Sequence, residues 1–501
     1  MPVAESKPFT IGSVMVPLIA IIVGIFMVIL DTTAVNVAVP TLVRDLKAPL
    51  STLQWTITGY TLAQAAVIPL AGWLSDRFGA KYIFLTSVAL FTIGSVLCAT
   101  AQSAEMLITF RILQGLGGGF VLPVAMAYVY RLSPPDKVGV LMGMMGVPIL
   151  FAPAIGPVLA GWLVQYQSWR WIFLINLPIG IVGLMIGLRG LPAVGRQAVA
   201  SLDIPGFILA PIAFVALSYG VAEGSASWTS VNTIGGLVLG VIALALFIIV
   251  ELRSKAPLLE LRVFRSIDFS LAIIVQWIAQ FALFGTLFLI PLFLQQVRGF
   301  GAFDTGLSLL PQAIAAGATM PIGGALFDKI GARPLVVVGG ALMAIATFLL
   351  TQVSPSTQGT DLILPLVMYG IGMGLMLMPL NTHLINAAPR DLVSRVTSLT
   401  NALQQVISGL TIAGLTTILT SQASYHAART LMAKATNGAS SGAATATGSL
   451  PQPLAKLFST AFSNTFKVMV AMAIIGALMG LVLRRNHAAQ AAQPEAHSMV
   501  A

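Results

Sequence analysis

Asp31 and Arg111 are the residues that could do chemistry, because each falls inside a long apolar run, 14–37 and 106–130. An ionisable group buried in hydrocarbon is costly, so such a residue is functional by default. Each lies about seven residues from the same end of its run, or roughly 10 Å at the helical rise, so the two can meet. A carboxylate that exchanges an arginine partner for a drier surrounding changes its hold on a proton. That is proton-coupling chemistry; the plainer reading is a static pair that locks helix packing.

Other chemistries are not expected. The four histidines are far apart in sequence, and none stands at zinc-ligand spacing. The single cysteine, Cys98, lies in an apolar run. No Lys follows a Gly, so no phosphate loop of the Walker type is present. No Ser-His or Cys-His constellation falls within the apolar runs. The chain reads as neither an enzyme nor a cofactor protein.

Polar and soft residues within the runs are candidates to line a substrate cavity. They are Asn36, Tyr60, Gln64 and Gln114 in the first half, and Gln276, Gln280, Phe281, Gln312, Met376, Asn381, Asn401 and Gln404 in the second. Tyr60 and Gln64 share a helical face, as do Gln276 and Gln280. Amides can equally bridge helices. Pro148, Pro153 and Pro157, with Gly143, Gly146 and Gly156, make 138–164 a deformable element suited to closing one face. A passive kinked helix is the alternative. Gly115-x-x-x-Gly119 lets helices approach closely. No carboxylate falls deep in a second-half span: Asp268 and Asp304 stand at span starts and Asp361 at an end.

The elements that must position these groups follow from composition. Of 501 residues, 57% are hydrophobic and 8% charged, against about a quarter charged in soluble domains. Lipid must be the solvent. The net charge of +10 comes from single basic residues in short loops, which set topology rather than bind nucleic acid. A hydrocarbon core about 30 Å thick needs roughly 20 apolar residues as helix. That ruler gives about fourteen spans, including 52–72, 138–164, 204–221, 232–250 and 464–483. The run 11–30 is too long for a signal-peptide core and reads as a retained first span. Lys and Arg concentrate on the side that holds both termini, which is expected to be cytoplasmic. The segment 422–463, rich in Ala, Ser, Thr and Gly, reads as a long external loop with helical flanks, a spacer or a docking element.

A repeat organises the chain. Gly72-x-Leu74-x-Asp76-Arg77-x-Gly79-Ala80-Lys81 recurs as Gly324-x-Leu326-x-Asp328-Lys329-x-Gly331-Ala332-Arg333, shifted by 252 residues. Two halves in the same orientation imply parallel repeats about an axis along the membrane normal. The expected architecture is all-α: a six-helix bundle over 1–190, an inserted transmembrane hairpin and linker over 191–265, a second six-helix bundle over 266–484, and a cytoplasmic tail over 485–501. An Asp beside basic residues at a helix end can latch one of two bundle packings. An ordinary turn with topology charges is the alternative.

The repeated loop resembles the one that the major facilitator superfamily carries between its second and third spans, except at Ala80, where the family usually has a basic residue. Leu30-Asp31-Thr32-Thr33-Ala34-Val35-Asn36-Val37-Ala38-Val39-Pro40 resembles the first-span signature of its fourteen-span drug:proton antiporters, the EmrB/QacA group. Arg111-Ile112-Leu113-Gln114-Gly115-Leu116-Gly117 is similar to the fourth-span motif. Gly156-Pro157-Val158-Leu159-Ala160-Gly161 is similar to the fifth-span antiporter motif, with Ala152 and Ala160 where Gly is common. Trp169-Arg170-Trp171-Ile172-Phe173, followed by Asn176-Leu177-Pro178, also resembles this group. The resemblance implies proton-coupled efflux of hydrophobic or amphipathic drugs across the inner membrane by alternating access. Asp31 and Arg111 would couple protons, Asp76, Arg77, Asp328 and Lys329 would form the latch, and Pro153, Gly156, Pro157 and Gly161 the hinge. The proton gradient would supply energy, with no cofactor. A facilitator, or an exporter of one endogenous metabolite or lipid-like compound, is the alternative on the same fold. A periplasmic adaptor and an outer-membrane channel remain open as partners, beside protons, amphipathic substrates and the bilayer.

Overall fold

The computed structural model describes residues 11–132, 138–192, 203–224, 227–254, 257–386, 393–438 and 451–483. Within its helices, side chains at 11–14, 130–132, 138–150, 154, 328, 385–386, 393–395 and 432–438 lie outside the description. All regular structure among the described residues is helical, which is what hydrocarbon demands of a backbone that cannot bond to water.

The first helices are α1 (Ile11–Asp45), α2 (Leu50–Leu53), α3 (Trp55–Val67), α4 (Leu70–Phe78), α5 (Ala80–Thr100) and α6 (Ala104–Leu132). Next come α7 (Val138–Tyr166), α8 (Arg170–Leu174), α9 (Asn176–Gly190), α10 (Ile204–Glu223) and α11 (Val231–Arg253). A 3₁₀ turn (Leu261–Arg265) precedes α12 (Ile267–Gln296), α13 (Ala302–Ile330) and α14 (Ala332–Leu350). A second turn (Gly359–Leu362) leads to α15 (Ile363–Asn386), α16 (Val393–Thr420), α17 (Ala423–Gly438) and α18 (Gln452–Gly480).

Twelve of the described helices are long and apolar enough to cross a membrane, and the bent pair Leu50–Val67 and Leu70–Phe78 brings the number to 13. The expected run 138–164 falls within α7, so the fourteen-span reading is compatible with the fold. Expected span 52–72 differs in shape: it bends by 52° between α3 and α4, where Pro69 lacks the N–H that would continue the ladder. The helix carrying 464–483 starts twelve residues sooner, at Gln452, because a hydropathy ruler measures apolar length and not helix length.

Packing groups the chain into two units, Met1–Leu259 with Asn401–Ala413, and Glu260–Thr400 with Gly414–Ala501. In the first, Ile21, Ile25, Phe84, Phe91, Val121 and Tyr128 belong to one buried core. The expected hairpin is present as α10 and α11, which pack on each other. Their outward faces carry exposed Ile208, Val215, Val238, Val241 and Ile242. Soluble surfaces seldom expose contiguous apolar patches beyond a few hundred Å², so this face belongs in lipid. The two copies of the repeated loop share one local geometry. Gly79 ends α4 at φ 99° and Gly331 ends α13 at φ 76°, a region that a side chain at Cβ disfavours.

Candidate functional site

The site in the first unit is assembled from five helices around one carboxylate. Asp31 sits mid-way along α1, and Arg111 and Gln114 lie three apart on one face of α6. Arg111 Nη1 donates to Asp31 Oδ2 at 2.5 Å, with side-chain exposures of 1% and 0% respectively. The other carboxylate oxygen, Oδ1, accepts from Gln114 Nε2 at 3.1 Å and from Asn176 Nδ2, at the start of α9, at 3.0 Å.

The guanidinium is held on every side. Its Nε donates to the carbonyl of Thr56 in α3 at 3.0 Å, and Nη1 also reaches Gln114 Oε1 at 2.7 Å. It lies over the Tyr60 ring, with Cζ 3.8 Å from the ring centroid, a desolvated cation–π contact worth about 2 kcal/mol. Asn176 further donates to Ser95 Oγ at 2.9 Å, and Ser95 donates to the Phe173 carbonyl at 2.9 Å. Cys98 Sγ approaches Gln114 Oε1 at 3.5 Å. Thus α1, α3, α5, α6 and α9 are joined through one buried ion pair.

Small residues allow that approach. A Cβ on Gly156 of α7 would lie 2.2 Å from Thr33 Oγ1 on α1, two residues after Asp31. A Cβ on Gly115 would lie 2.5 Å from the Tyr60 carbonyl, and one on Gly119 2.8 Å from Gln64 Cα. Of the other expected hinge residues, Pro157 and Gly161 are buried and Pro153 half-buried in α7.

The expected cavity residues divide. Tyr60 and Gln114 are part of the charge cluster, and Gln64 joins it by donating to Tyr60 Oη at 3.0 Å. Asn36 is buried one turn beyond Thr32, to whose carbonyl it donates at 3.3 Å. In the second unit, Gln276 Nε2 donates to Asn381 Oδ1 at 2.5 Å. Gln280 and Gln312 are buried, and their Oε1 atoms, like Gln276 Oε1, have no hydrogen-bond partner among the described residues. Phe281 on α12 is half-buried. Met376 is buried and lines a small cavity with Ile278, Gly340 and Met343. Asn401 and Gln404, which group with the first unit, are half-buried on α16.

At the repeated loops, Arg77 is exposed and lies over Trp73 and Phe78, at 5.4 and 5.8 Å from their ring centroids. Asp76 is half-buried, and Lys329 is exposed. The side chain of Asp328 lies outside the described residues. Sequence reasoning gave no role to Ser95, Cys98 or Asn176. It also placed Asp268 only at a span start; its side chain is 12% exposed and stands 3.2 Å from His383 Nε2. Among the described residues, no group of three His, Cys, Asp or Glu comes together to hold a metal ion.

Apolar helices long enough to cross a membrane, with an ion pair buried among them, define a multi-pass membrane protein. The sequence profile described as the Major Facilitator Superfamily matches residues 21–413, and the chain belongs to that family. It is 35% identical over 410 residues to YhcA of Bacillus subtilis (strain 168), an uncharacterized MFS-type transporter, covering 82% of this chain and 77% of that one. It is 35% identical over 433 residues to a multidrug resistance protein B homolog of Mycobacterium tuberculosis, covering 84% and 80%. The solved D-xylose-proton symporter shares the fold at TM-score 0.64 and 16% identity, over 93% of this chain and 97% of that one.

Proposed function

We propose that the protein exports hydrophobic or amphipathic drugs across the cytoplasmic membrane in exchange for protons, by alternating access, with both termini in the cytoplasm. The observation that carries this reading is the Asp31–Arg111 pair, closed off from solvent yet built around a group that can take a proton. Protonating Asp31 would neutralise the carboxylate and free Arg111 from its 2.5 Å partner, so occupancy by a proton selects between two packings of α1 and α6. The unpartnered amide oxygens of Gln276, Gln280 and Gln312 support contact with polar atoms of cargo, since buried acceptors are rarely left unmatched. A drug cargo is supported by the relative that bears the name of multidrug resistance. Gly156 against Thr33 supports a role for α7 in sensing the same site. The exposed Arg77 and Lys329, each beside a left-handed glycine, suit a latch that forms in one packing and parts in the other. An adaptor and an outer-membrane channel would extend the path for cargo.

The test is efflux from proteoliposomes under an imposed pH gradient, with a fluorescent amphipathic cation as cargo. Asp31→Asn is expected to abolish gradient-driven efflux while the protein stays folded. Normal gradient-driven efflux by Asp31→Asn would remove Asp31 as the proton carrier.

A further inference from the structure

A second titratable pair lies in the second unit, where none of the roles above uses it. Near one end of α12 and α15, two polar contacts tie the helices together. Gln276 donates to Asn381 at 2.5 Å, and two residues further along α15, His383 Nε2 stands 3.2 Å from Asp268 Oδ2. The His383 side chain is 1% exposed. The Nε2–Oδ2 contact is at ion-pair distance, but its alignment falls short of a hydrogen bond.

Imidazole is the side chain whose charge changes between about pH 5 and 8 when unperturbed. With a proton on His383 the pair sums to zero. Without it the attraction between the two side chains is lost, so the proton on His383 and the contact with Asp268 favour each other. Asp268 occupies the first turn of α12, where Ser266 Oγ accepts from Phe269 N at 3.3 Å. A helix N-terminus favours negative charge there, which assigns the exchangeable proton to His383.

The neighbouring elements leave that assignment intact. At the same end stand Arg262 and Arg265 on the 3₁₀ turn before α12, Lys329 in the last turn of α13 and Arg333 in the first turn of α14. Asp328 precedes Lys329, and its side chain lies outside the described residues. Towards the opposite end, α13 carries Asp304, the turn before α15 carries Asp361, and α18 carries Lys456 and Lys467. Among the described residues, Asp268 is the charged group within ion-pair distance of His383.

We propose that His383, with Asp268, is a second proton-binding site, whose occupancy fastens the end of α15 to the start of α12. Its part in transport rests on the proton-coupled reading above; its existence as a proton site does not. In that reading the transporter handles protons at Asp31 in one unit and at His383 in the other. The proton on His383 then sets how firmly two helices of the second unit are clasped.

The experiment is nitrogen-15 magnetic resonance of the full chain in lipid nanodiscs, labelled at its four histidines and titrated from pH 5 to 9. His383→Gln identifies the His383 signals by their loss. The ring is expected to pass from charged to neutral within that range, and Asp268→Asn to move the midpoint, with Asp268→Glu restoring it. A ring that keeps one protonation state throughout, or a midpoint indifferent to Asp268→Asn, overturns the proposal. In the efflux assay, His383→Gln should change the pH dependence of the rate, where Asp31→Asn abolishes gradient-driven transport. Should Asp31→Asn leave efflux intact, the coupling scheme falls while the titration still decides the proton site.

Discussion

Replacing Asp31 by Asn keeps the shape of the side chain and removes its charge, which makes the cost calculable from the contacts. Arg111 keeps the Thr56 carbonyl, Gln114 Oε1 and the Tyr60 ring, so its positive charge stays buried with three neutral partners. The amide brings one oxygen where the carboxylate had two. If that oxygen faces Arg111, the new N–H₂ group faces Gln114 Nε2 and Asn176 Nδ2, which are donors too. Turning Gln114 over would sacrifice its bond to Arg111, and turning Asn176 over would sacrifice Ser95. Breaking a buried pair from one side costs about 3–5 kcal/mol, and no local flip avoids it. Arg111→Met, which strands the carboxylate, should cost a similar amount. The double variant Asp31→Asn/Arg111→Met leaves no buried charge, and should be more stable than the sum of the single losses predicts by about 2–3 kcal/mol. Denaturant titration in mixed micelles, followed by tryptophan fluorescence, measures the cycle. Losses that add to within about 0.5 kcal/mol would show that the two charges are not coupled, and the proton-carrier argument would lose its energetic basis.

Other outcomes test the surrounding parts. Gly156→Ala would set a Cβ 2.2 Å from Thr33 Oγ1; it is expected to destabilise by about 1–3 kcal/mol, with Thr33→Ala recovering part of the loss in the same unfolding assay. Arg77→Ala should slow efflux several-fold and leave equilibrium binding of cargo unchanged, because Arg77 is exposed in the last turn of α4; lost binding with normal cycling would exclude the latch. Asn176→Ala should impair efflux, since it removes one of the two amides on Asp31 Oδ1, and a normal rate would reduce Asn176 to packing.

Much of this was legible because charge is rare inside apolar runs. Two such residues suffice to point to each other, and Asp31 and Arg111 do meet. The repeated Gly79 and Gly331 were legible for a similar reason, as a fixed spacing that recurs. Asn176 and Ser95 were not, because hydroxyl and amide side chains within helices have a local escape. Thr92 and Ser87 return their hydroxyls to the carbonyls four residues back, at 2.7 and 2.6 Å, and sequence does not distinguish these from Ser95, which bridges to Phe173. Asp268 does stand at a helix start, as expected; its contact with His383 was not legible, because a carboxylate there looks like a boundary residue. Its partner His383 lies 115 positions away in sequence.

If Asp31 carries protons, a packing must exist in which it is wetted, because its side chain is 0% exposed in this one. Cys98 reports on that packing without any engineered label. It is the single cysteine of the chain and is fully buried, and its Sγ lies against Gln114 Oε1, the amide that also touches Arg111. Water reaching Asp31 between α5 and α6 therefore reaches Cys98 as well. When opening and closing are fast, labelling by a small maleimide follows the population of the open form. Weakening the cluster by about 3 kcal/mol raises that population by about a hundredfold. Asp31→Asn should therefore speed Cys98 labelling by about two orders of magnitude, and acidification of the wild-type protein should move the rate the same way once it is divided by the thiolate fraction, which falls with pH. Gly476→Ala in the second unit, where a Cβ would lie 2.7 Å from Ile278 Cγ2, controls for general loosening. Labelling equally slow in Asp31→Asn and wild type would mean that the cluster stays shut without its charge, and that a proton on Asp31 does not open it.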